Sequence, residues 1–368
     1  LLFLLLFTVV LFFLVFLVFL LFFLLPNTIL PPHIFYFNSY TFTKKVLRFM
    51  KARKFTYHYI ITIFAIYFNV LIIIFPKEII KSAKNGLLLW YNFALPSLLP
   101  FIIGTNILKS TNFPIYLSKK LSPIFNKIFK ISGNSAFPIV CGMLSGYPLG
   151  AKLTCDLYNE NKISKSEAQR ILCFSNNSGP IFIIGTIGTQ MLNNSALGYK
   201  LLAVHILSAI TIGMLLGIVS KKDNSKCLYQ KSSIKPIGEL LNSSISNGIE
   251  TIVAICGYIV FFSILYTLLS KTQVITLLSK PLCSIGMDKY TAKGIISGLL
   301  EITNGCSIIS KSNSNILPFI SMIIAWGGFS IHAQSMSFIA KTDLSAKKYI
   351  LAKFAHSIIS AIYTYLFI

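Results

Sequence analysis

The sequence predicts an all-α polytopic membrane protein with an inverted repeat, each unit being a re-entrant hairpin followed by two transmembrane helices. The 368-residue chain is 55% hydrophobic and only 12% charged, whereas soluble domains carry about 25% charged residues. Several apolar runs reach the roughly 20 residues that a helix needs to cross a bilayer. Some of these runs are interrupted by glycine, proline and polar residues, and the interruptions recur in two halves of the chain.

The charge and the cysteines exclude several classes of protein. The net charge is +23, from 33 Lys and Arg against 10 Asp and Glu, and the basic residues lie in short loops between apolar runs. That arrangement predicts a lipid bilayer with anionic headgroups as the partner, and no nucleic acid. The seven cysteines have no CxxC spacing and no accompanying histidine cluster. We therefore expect neither a metal site nor a disulfide framework.

Residues 1–49 form a Leu/Phe-rich extension ahead of the first methionine, Met50. The run 1–25 has no basic segment before it and no small-residue cleavage site after it, so it is not predicted to be a signal peptide. Met50 leads directly into a plausible first helix. We therefore expect residues 1–49 to be an upstream artefact or a dispensable extension. The lysines and arginines of 44–54 predict that this end faces the cytoplasm.

The rest of the chain divides into four parts. Residues 50–132 contain two apolar helices and an amphipathic segment that is either interfacial or a short soluble bridge: 55–75, 87–108 and 113–131. The first repeat, 133–220, has two broken arms and one clean helix: 134–155, 171–192 and 199–219. A linker, 221–285, holds a lysine-rich loop, a span and an interfacial helix: 221–240, 245–270 and 271–284. The second repeat, 286–368, again has two broken segments and a last helix: 294–310, 317–340 and 349–368.

The two units match in architecture rather than letter by letter. Gly142 and Gly298 are 156 residues apart, whereas His205 and His356 are 151 apart. If the first arm of each unit is a re-entrant hairpin, an odd number of crossings separates the units and the repeat is inverted, as in secondary transporters. If those arms cross the bilayer fully, the repeats are parallel.

The predicted breaks are four: 145–152, 175–180, 301–305 and 327–328. They supply the candidate substrate-binding residues, because main chain freed of helical hydrogen bonds is tolerated at membrane depth only where it is buried or lines a polar cavity. Glu301 lies in an apolar segment, where an acid costs about 2.5–3.5 kcal/mol, and could bind a coupling cation or proton. Lys152 could pair with an anionic substrate or could snorkel to the interface. Gly179 and Pro180 could restart a helix whose N-terminus faces an anion, or could form a packing kink. The full set is Ser145, Gly146, Lys152, Asn176, Asn177, Ser178, Gly179, Glu301, Asn304 and Gln334.

Other polar and aromatic residues are expected to be structural. His205 and His356 lie in clean helices, where an interhelical hydrogen bond is favoured over a proton relay. Tyr147, Trp90 and Trp326 suit packing or interfacial roles better than ligand stacking. The sequence has no nucleophile–base pair, phosphate-binding loop or metal-ligand spacing. We therefore expect no enzyme activity and no cofactor.

Five stretches resemble the YlbJ family of sporulation integral membrane proteins, also called stage V sporulation protein V, and together they cover about residues 50–368. They are GLLLWYNFALPSLLPFIIGTNIL (86–108), CGMLSGYPLGAK (141–152), EAQRILCFSNNSGPIFIIGTIG (167–188), GLLEITNGC (298–306) and WGGFSIHAQ (326–334). The family belongs to the wider Gate or nucleoside recognition group, which includes concentrative nucleoside transporters.

The resemblance implies a role in endospore formation, with dipicolinic acid moving from the mother cell across the outer forespore membrane. That substrate is a small aromatic dianion. The alternatives are a nucleoside-type carrier and a sporulation membrane scaffold that transports nothing.

Overall fold

The computed structural model describes residues 59, 61–220 and 236–368, and the regular structure within these ranges is entirely helical. The N-terminal extension, the basic segment 44–54 and most of the predicted loop 221–240 lie outside the described residues. The helices of the N-terminal part are α1 (Ile61–Ile74), α2 (Pro76–Leu89), a π-helical turn (Trp90–Ala94), α3 (Leu95–Lys109) and α4 (Phe113–Ile128).

The two repeats have the same order of elements. The first contains α5 (Ala136–Ser145), α6 (Leu149–Asn159), α7 (Lys165–Ser175), a π-helix (Ile181–Met191) and α8 (Ser195–Val219). Helices α9 (Ile237–Lys271) and α10 (Val274–Ser284) connect the repeats. The second contains α11 (Lys289–Leu300), α12 (Ile302–Ile309), α13 (Leu317–Trp326), α14 (Gly328–Ile339) and α15 (Ala346–Phe367).

Four helical stretches of the described chain are long and apolar enough to cross a membrane: Pro76–Lys109, Ser195–Val219, Ile237–Lys271 and Ala346–Phe367. Their lengths meet or exceed the roughly 20 residues that a bilayer core requires. The prediction of an all-α polytopic membrane protein is therefore confirmed.

Two helices begin earlier than the apolar runs predict. The segment predicted at 87–108 is part of a helical stretch that starts at Pro76, and the span predicted at 245–270 starts at Ile237. Pro76 suits the first turn of a helix, where its missing N–H has no partner to lose. Glu78 in that turn pairs with Lys271 at 2.9 Å. The apolar run in the sequence therefore marks only the part of each helix that is apolar enough to lie in lipid. The helix itself continues beyond that run for further, more polar turns.

The breaks are shorter than predicted. The break predicted from Glu301 to Gly305 is confined to Glu301, because this side chain caps α12 and restarts the helix at once. The break predicted from Ser145 to Lys152 is confined to 146–148, where Gly146 has φ 96°. Lys152 therefore lies inside α6 rather than in irregular chain.

Each repeat opens with a helical hairpin held by glycines. A Cβ added at Gly142 would lie 2.8 Å from Gly150 Cα, so the main chains of α5 and α6 are in contact. In the second repeat, a Cβ at Gly305 would overlap the Cα of Gly298, which brings α11 and α12 equally close. The two hairpins therefore share one construction. Entry and exit of each hairpin on the same side of the bilayer stays a prediction.

The glycine contact between α11 and α12 gives a testable consequence. We expect Gly305→Ala to destabilise the protein by about 1–3 kcal/mol, because the new methyl group overlaps the main chain of Gly298. A clear fall in the thermal unfolding midpoint in detergent would show this. The matched control is Gly257→Ala in α9, where an added Cβ meets nothing within 4 Å. Equal midpoints for the two variants would contradict the close contact.

Candidate functional site

The four breaks lie together in space. Within the first repeat, a Cβ added at Gly146 would lie 2.8 Å from Gly179 N, so the hairpin tip contacts the break between α7 and the π-helix. Between the repeats, a Cβ at Gly327 would lie 3.3 Å from Tyr147 Cζ. Within the second repeat, a Cβ at Gly328 would lie 3.0 Å from Leu300 O. Irregular main chain from both repeats thus forms one continuous contact region.

A cavity of about 290 Å³ lies against these breaks. Six of the ten predicted site residues line it: Ser145, Gly146, Ser178, Gly179, Glu301 and Gln334. Apolar residues such as Phe93 and Ile255, from the π-helical turn and from α9, form much of the remaining wall. The cavity is therefore apolar on one part of its surface and polar where the broken segments meet.

Two buried polar atoms at the breaks have no hydrogen-bond partner among the described residues: Ser145 Oγ and Asn177 Oδ1. Buried polar groups are nearly always paired, so such atoms call for a ligand or water. Ser145 lines the cavity, whereas Asn177 lies just behind it and donates from Nδ2 to Phe174 O at 2.7 Å. Ser145 Oγ is accordingly an unpaired polar atom on a residue that lines the cavity.

Glu301 caps α12 and faces the cavity. Its two carboxylate oxygens accept from Thr303 N at 3.0 Å and from Asn304 N at 2.8 Å. The side chain is 8% exposed. A carboxylate at a helix N-terminus satisfies donors that otherwise lack partners, and this accounts for the single-residue break. A further role for Glu301 in binding a cation, a proton or a substrate stays a prediction.

Asn176 is fully buried and joins elements of both repeats. Its Oδ1 accepts from Ala151 N at 3.3 Å, and its Nδ2 lies 2.8 Å from Ser335 Oγ and 2.9 Å from Tyr349 OH. Because these partners belong to α6, α14 and α15, one amide connects the first hairpin to the second repeat. Asn176 does not line the cavity.

Lys152 and Asn304 also lie outside the lining of the cavity. Lys152 Nζ pairs with Asp156 Oδ2 at 3.0 Å, one turn further along α6, and Asp156 also pairs with Lys109 at 3.2 Å. The charge of Lys152 is therefore compensated within the protein. Asn304 donates its main-chain N–H to the cap of α12.

The interhelical hydrogen bonding predicted for His205 and His356 is present in the structure. His356 Nε2 lies 3.1 Å from His205 O, which joins α15 to α8. His205 Nε2 in turn accepts from Ser178 N at 3.1 Å. The contact between α8 and α15 thus extends to the second break, at a residue that lines the cavity.

Lys353 is the residue that the sequence analysis missed. It is fully buried in α15, and its Nζ donates to Asn176 O at 3.0 Å and lies 2.9 Å from His356 Nδ1. The same Nζ lies 5.1 Å from the centroid of the Tyr147 ring. An ionisable residue inside an apolar helix was the available signal. It was obscured because Lys347 and Lys348 precede it and resemble an interfacial cluster.

A second, more exposed contact joins the repeats at the ends of their helices. Lys165 pairs with Asp343 at 2.6 Å, and Tyr158 OH donates to Asp343 at 2.7 Å. The hydrogen bonds from Lys165 and Tyr158 lower the pKa of Asp343. Exposed ion pairs contribute about 0–1 kcal/mol, so this contact helps to orient the repeats without dominating their stability.

The neighbouring Asn176 and Asn177 allow a matched comparison. We expect Asn176→Ala to lower the free energy of unfolding by about 1–3 kcal/mol more than Asn177→Ala, because it removes the partner of buried groups in α6, α14 and α15. Asn177→Ala removes one local bond. Thermal unfolding in detergent measures the difference, and equal losses would contradict a linking role for Asn176.

Comparisons with known proteins found sequence similarity to a family and to a bacterial membrane protein. The family described as "Gate: Nucleoside recognition" matches residues 93–222. The sporulation integral membrane protein YlbJ of Bacillus subtilis (strain 168) is 28% identical over 333 residues, which cover 83% of this chain and 82% of that protein. No solved structure matches significantly. The resemblance of the motifs to the YlbJ family of sporulation membrane proteins is thereby confirmed.

Proposed function

We propose that the chain is a transporter for a small organic anion, and that it moves dipicolinic acid from the mother cell across the outer forespore membrane during sporulation. The observation that carries this proposal is the cavity at the junction of the breaks from both repeats. Broken segments that meet in this way are the usual substrate site of secondary transporters built from repeats. The similarity to a sporulation membrane protein supports the biological setting.

The chemistry of the cavity suits a small aromatic acid. Its volume of about 290 Å³ is close to the lower end of the roughly 300–1,000 Å³ typical of ligand pockets. Phe93, Phe182 and Ile255 offer apolar surface to a ring. Ser145 Oγ offers a hydroxyl that has no partner among the described residues. The N-terminus of the π-helix beginning at Ile181 supplies main-chain N–H groups and the positive end of a helix dipole.

The proposed mechanism is alternating access, in which one repeat moves against the other around the site. Glu301 is proposed as the group that senses a coupling cation or proton, because it lines the cavity and belongs to the second repeat. No covalent step is required, so we propose that the protein is not an enzyme and uses no cofactor.

A nucleoside-type carrier is the second candidate, and the description of the matched family as nucleoside recognition favours it. A scaffold that transports nothing is the third. The three candidates differ in what crosses the membrane. A carrier for dipicolinate and a carrier for nucleosides both need the cavity, whereas a scaffold does not.

Uptake by vesicles reconstituted with the purified chain tests these candidates directly. We expect radiolabelled dipicolinate to accumulate faster than in empty vesicles, and Ser145→Ala to lower the apparent affinity by roughly five- to thirtyfold, as expected when about 1–2 kcal/mol of hydrogen bonding is lost. Uptake of nucleosides without dipicolinate would favour the second candidate. Uptake of neither would favour the scaffold.

Point variants in sporulating cells test the same proposal in its biological setting. We expect Glu301→Gln and Asn177→Ala to lower dipicolinate in spores at unchanged protein level, because each alters a polar group at a break while conserving the loops. Asn242→Ala, an exposed change in α9, is the control and should leave dipicolinate unchanged. Normal dipicolinate in the two break variants would contradict a transport role for this site.

A further inference from the structure

We propose that Lys353 determines the preference of the cavity for anions, because an anion in the cavity supplies the opposite charge that the buried ammonium group of Lys353 lacks. The inference rests on the proposed function and adds to it the residue that discriminates charged from uncharged substrates of similar shape. Lys353 acts through the field of its ammonium group rather than by contact with the substrate, so it is a specificity-determining residue of the site.

The surroundings of Lys353 fit an ammonium group. Asn176 O accepts a hydrogen bond from Nζ, and His356 Nδ1 lies within hydrogen-bond distance of it. His356 Nε2 lies 3.1 Å from His205 O and 2.9 Å from Ser208 Oγ. A carbonyl can only accept, so the proton of this imidazole belongs on Nε2 and Nδ1 is left as an acceptor. Both close partners of Lys353 Nζ are therefore neutral acceptors.

No carboxylate compensates this charge within the described part of the chain. The ion pairs found in residues 61–220 and 236–368 involve other lysines, such as Lys109, Lys152 and Lys165, and each of these is at least partly exposed. Lys353 is fully buried instead. A buried charge is costly unless an opposite charge accompanies it. An anion bound in the cavity supplies that opposite charge, so its binding and the ammonium form of Lys353 stabilise each other.

Two contacts of Lys353 Nζ show that its charge lies close to the cavity. Its Nζ is 5.1 Å from the ring centroid of Tyr147, and Tyr147 lines the cavity. Its acceptor Asn176 precedes Ser178 by two residues in the same break, and Ser178 lines the cavity as well. Charges interact over such distances when water is excluded between them. Glu301 is the carboxylate in the lining, and its two oxygens accept hydrogen bonds from the main-chain N–H groups of Thr303 and Asn304 in α12.

The experiment compares two ligands of nearly the same shape, dipicolinate and the uncharged pyridine-2,6-dicarboxamide, with wild-type chain and variants in reconstituted vesicles. We expect Lys353→Met to weaken dipicolinate binding at least about tenfold relative to binding of the diamide, because the variant lacks the ammonium group that attracts the dianion. Lys353→Arg should keep the preference. Lys347→Met, which removes an exposed charge from the same helix, should behave like wild type.

A second variant covers the case in which Lys353→Met does not fold. Lys353→Gln removes the charge while keeping a side-chain donor for Asn176 O, and it should also remove the preference. An undiminished preference for the dianion in either folded variant would overturn the inference alone. A wild-type chain that takes up neither ligand would contradict the proposed function and the inference together.

Discussion

The structure depends on how it satisfies main-chain groups that the breaks release from helical hydrogen bonding. In hydrocarbon each such group would cost several kcal/mol if it were left unpaired. At the break between α7 and the π-helix, buried side chains from other helices provide the partners. Lys353 Nζ donates to Asn176 O at 3.0 Å, and His205 Nε2 accepts from Ser178 N at 3.1 Å. Burial of Lys353 or His205 without a hydrogen-bond partner would cost free energy. Here both side chains pair with main-chain groups of the break and stabilise it.

The same principle applies where the repeats meet. Tyr147, at the tip of the first hairpin, has its hydroxyl 3.3 Å from Ala325 O, at the end of α13. Trp326 Nε1 donates to Leu299 O at 3.3 Å, at the end of α11. Carbonyls in the last turn of a helix have no partner within it. Aromatic side chains therefore hold together the helix ends that border the cavity, and the repeats cannot separate there without exposing these groups.

The sequence allowed the breaks to be predicted because their residues have a direct physical meaning. Gly146, Gly327 and Gly328 adopt positive φ, which glycine tolerates without strain. The position of a residue in the sequence does not show, however, whether its side chain points from the helix towards the cavity. Lys152, one turn after a break, points to Asp156 and away from the cavity. Lys353 lacks any neighbouring break, and the packing of α15 against the first repeat shows which groups it contacts.

One consequence concerns how such a site could move. The contacts that satisfy the breaks also involve residues that line the cavity, because Ser178 and Tyr147 take part in both. A change in the relative position of the repeats must then alter the cavity and the hydrogen bonds of the breaks at the same time. In a packed interior such rearrangements occur between discrete arrangements rather than continuously. A ligand that bridges polar groups of both repeats would therefore favour one arrangement over the other, which is the physical requirement for coupling binding to transport.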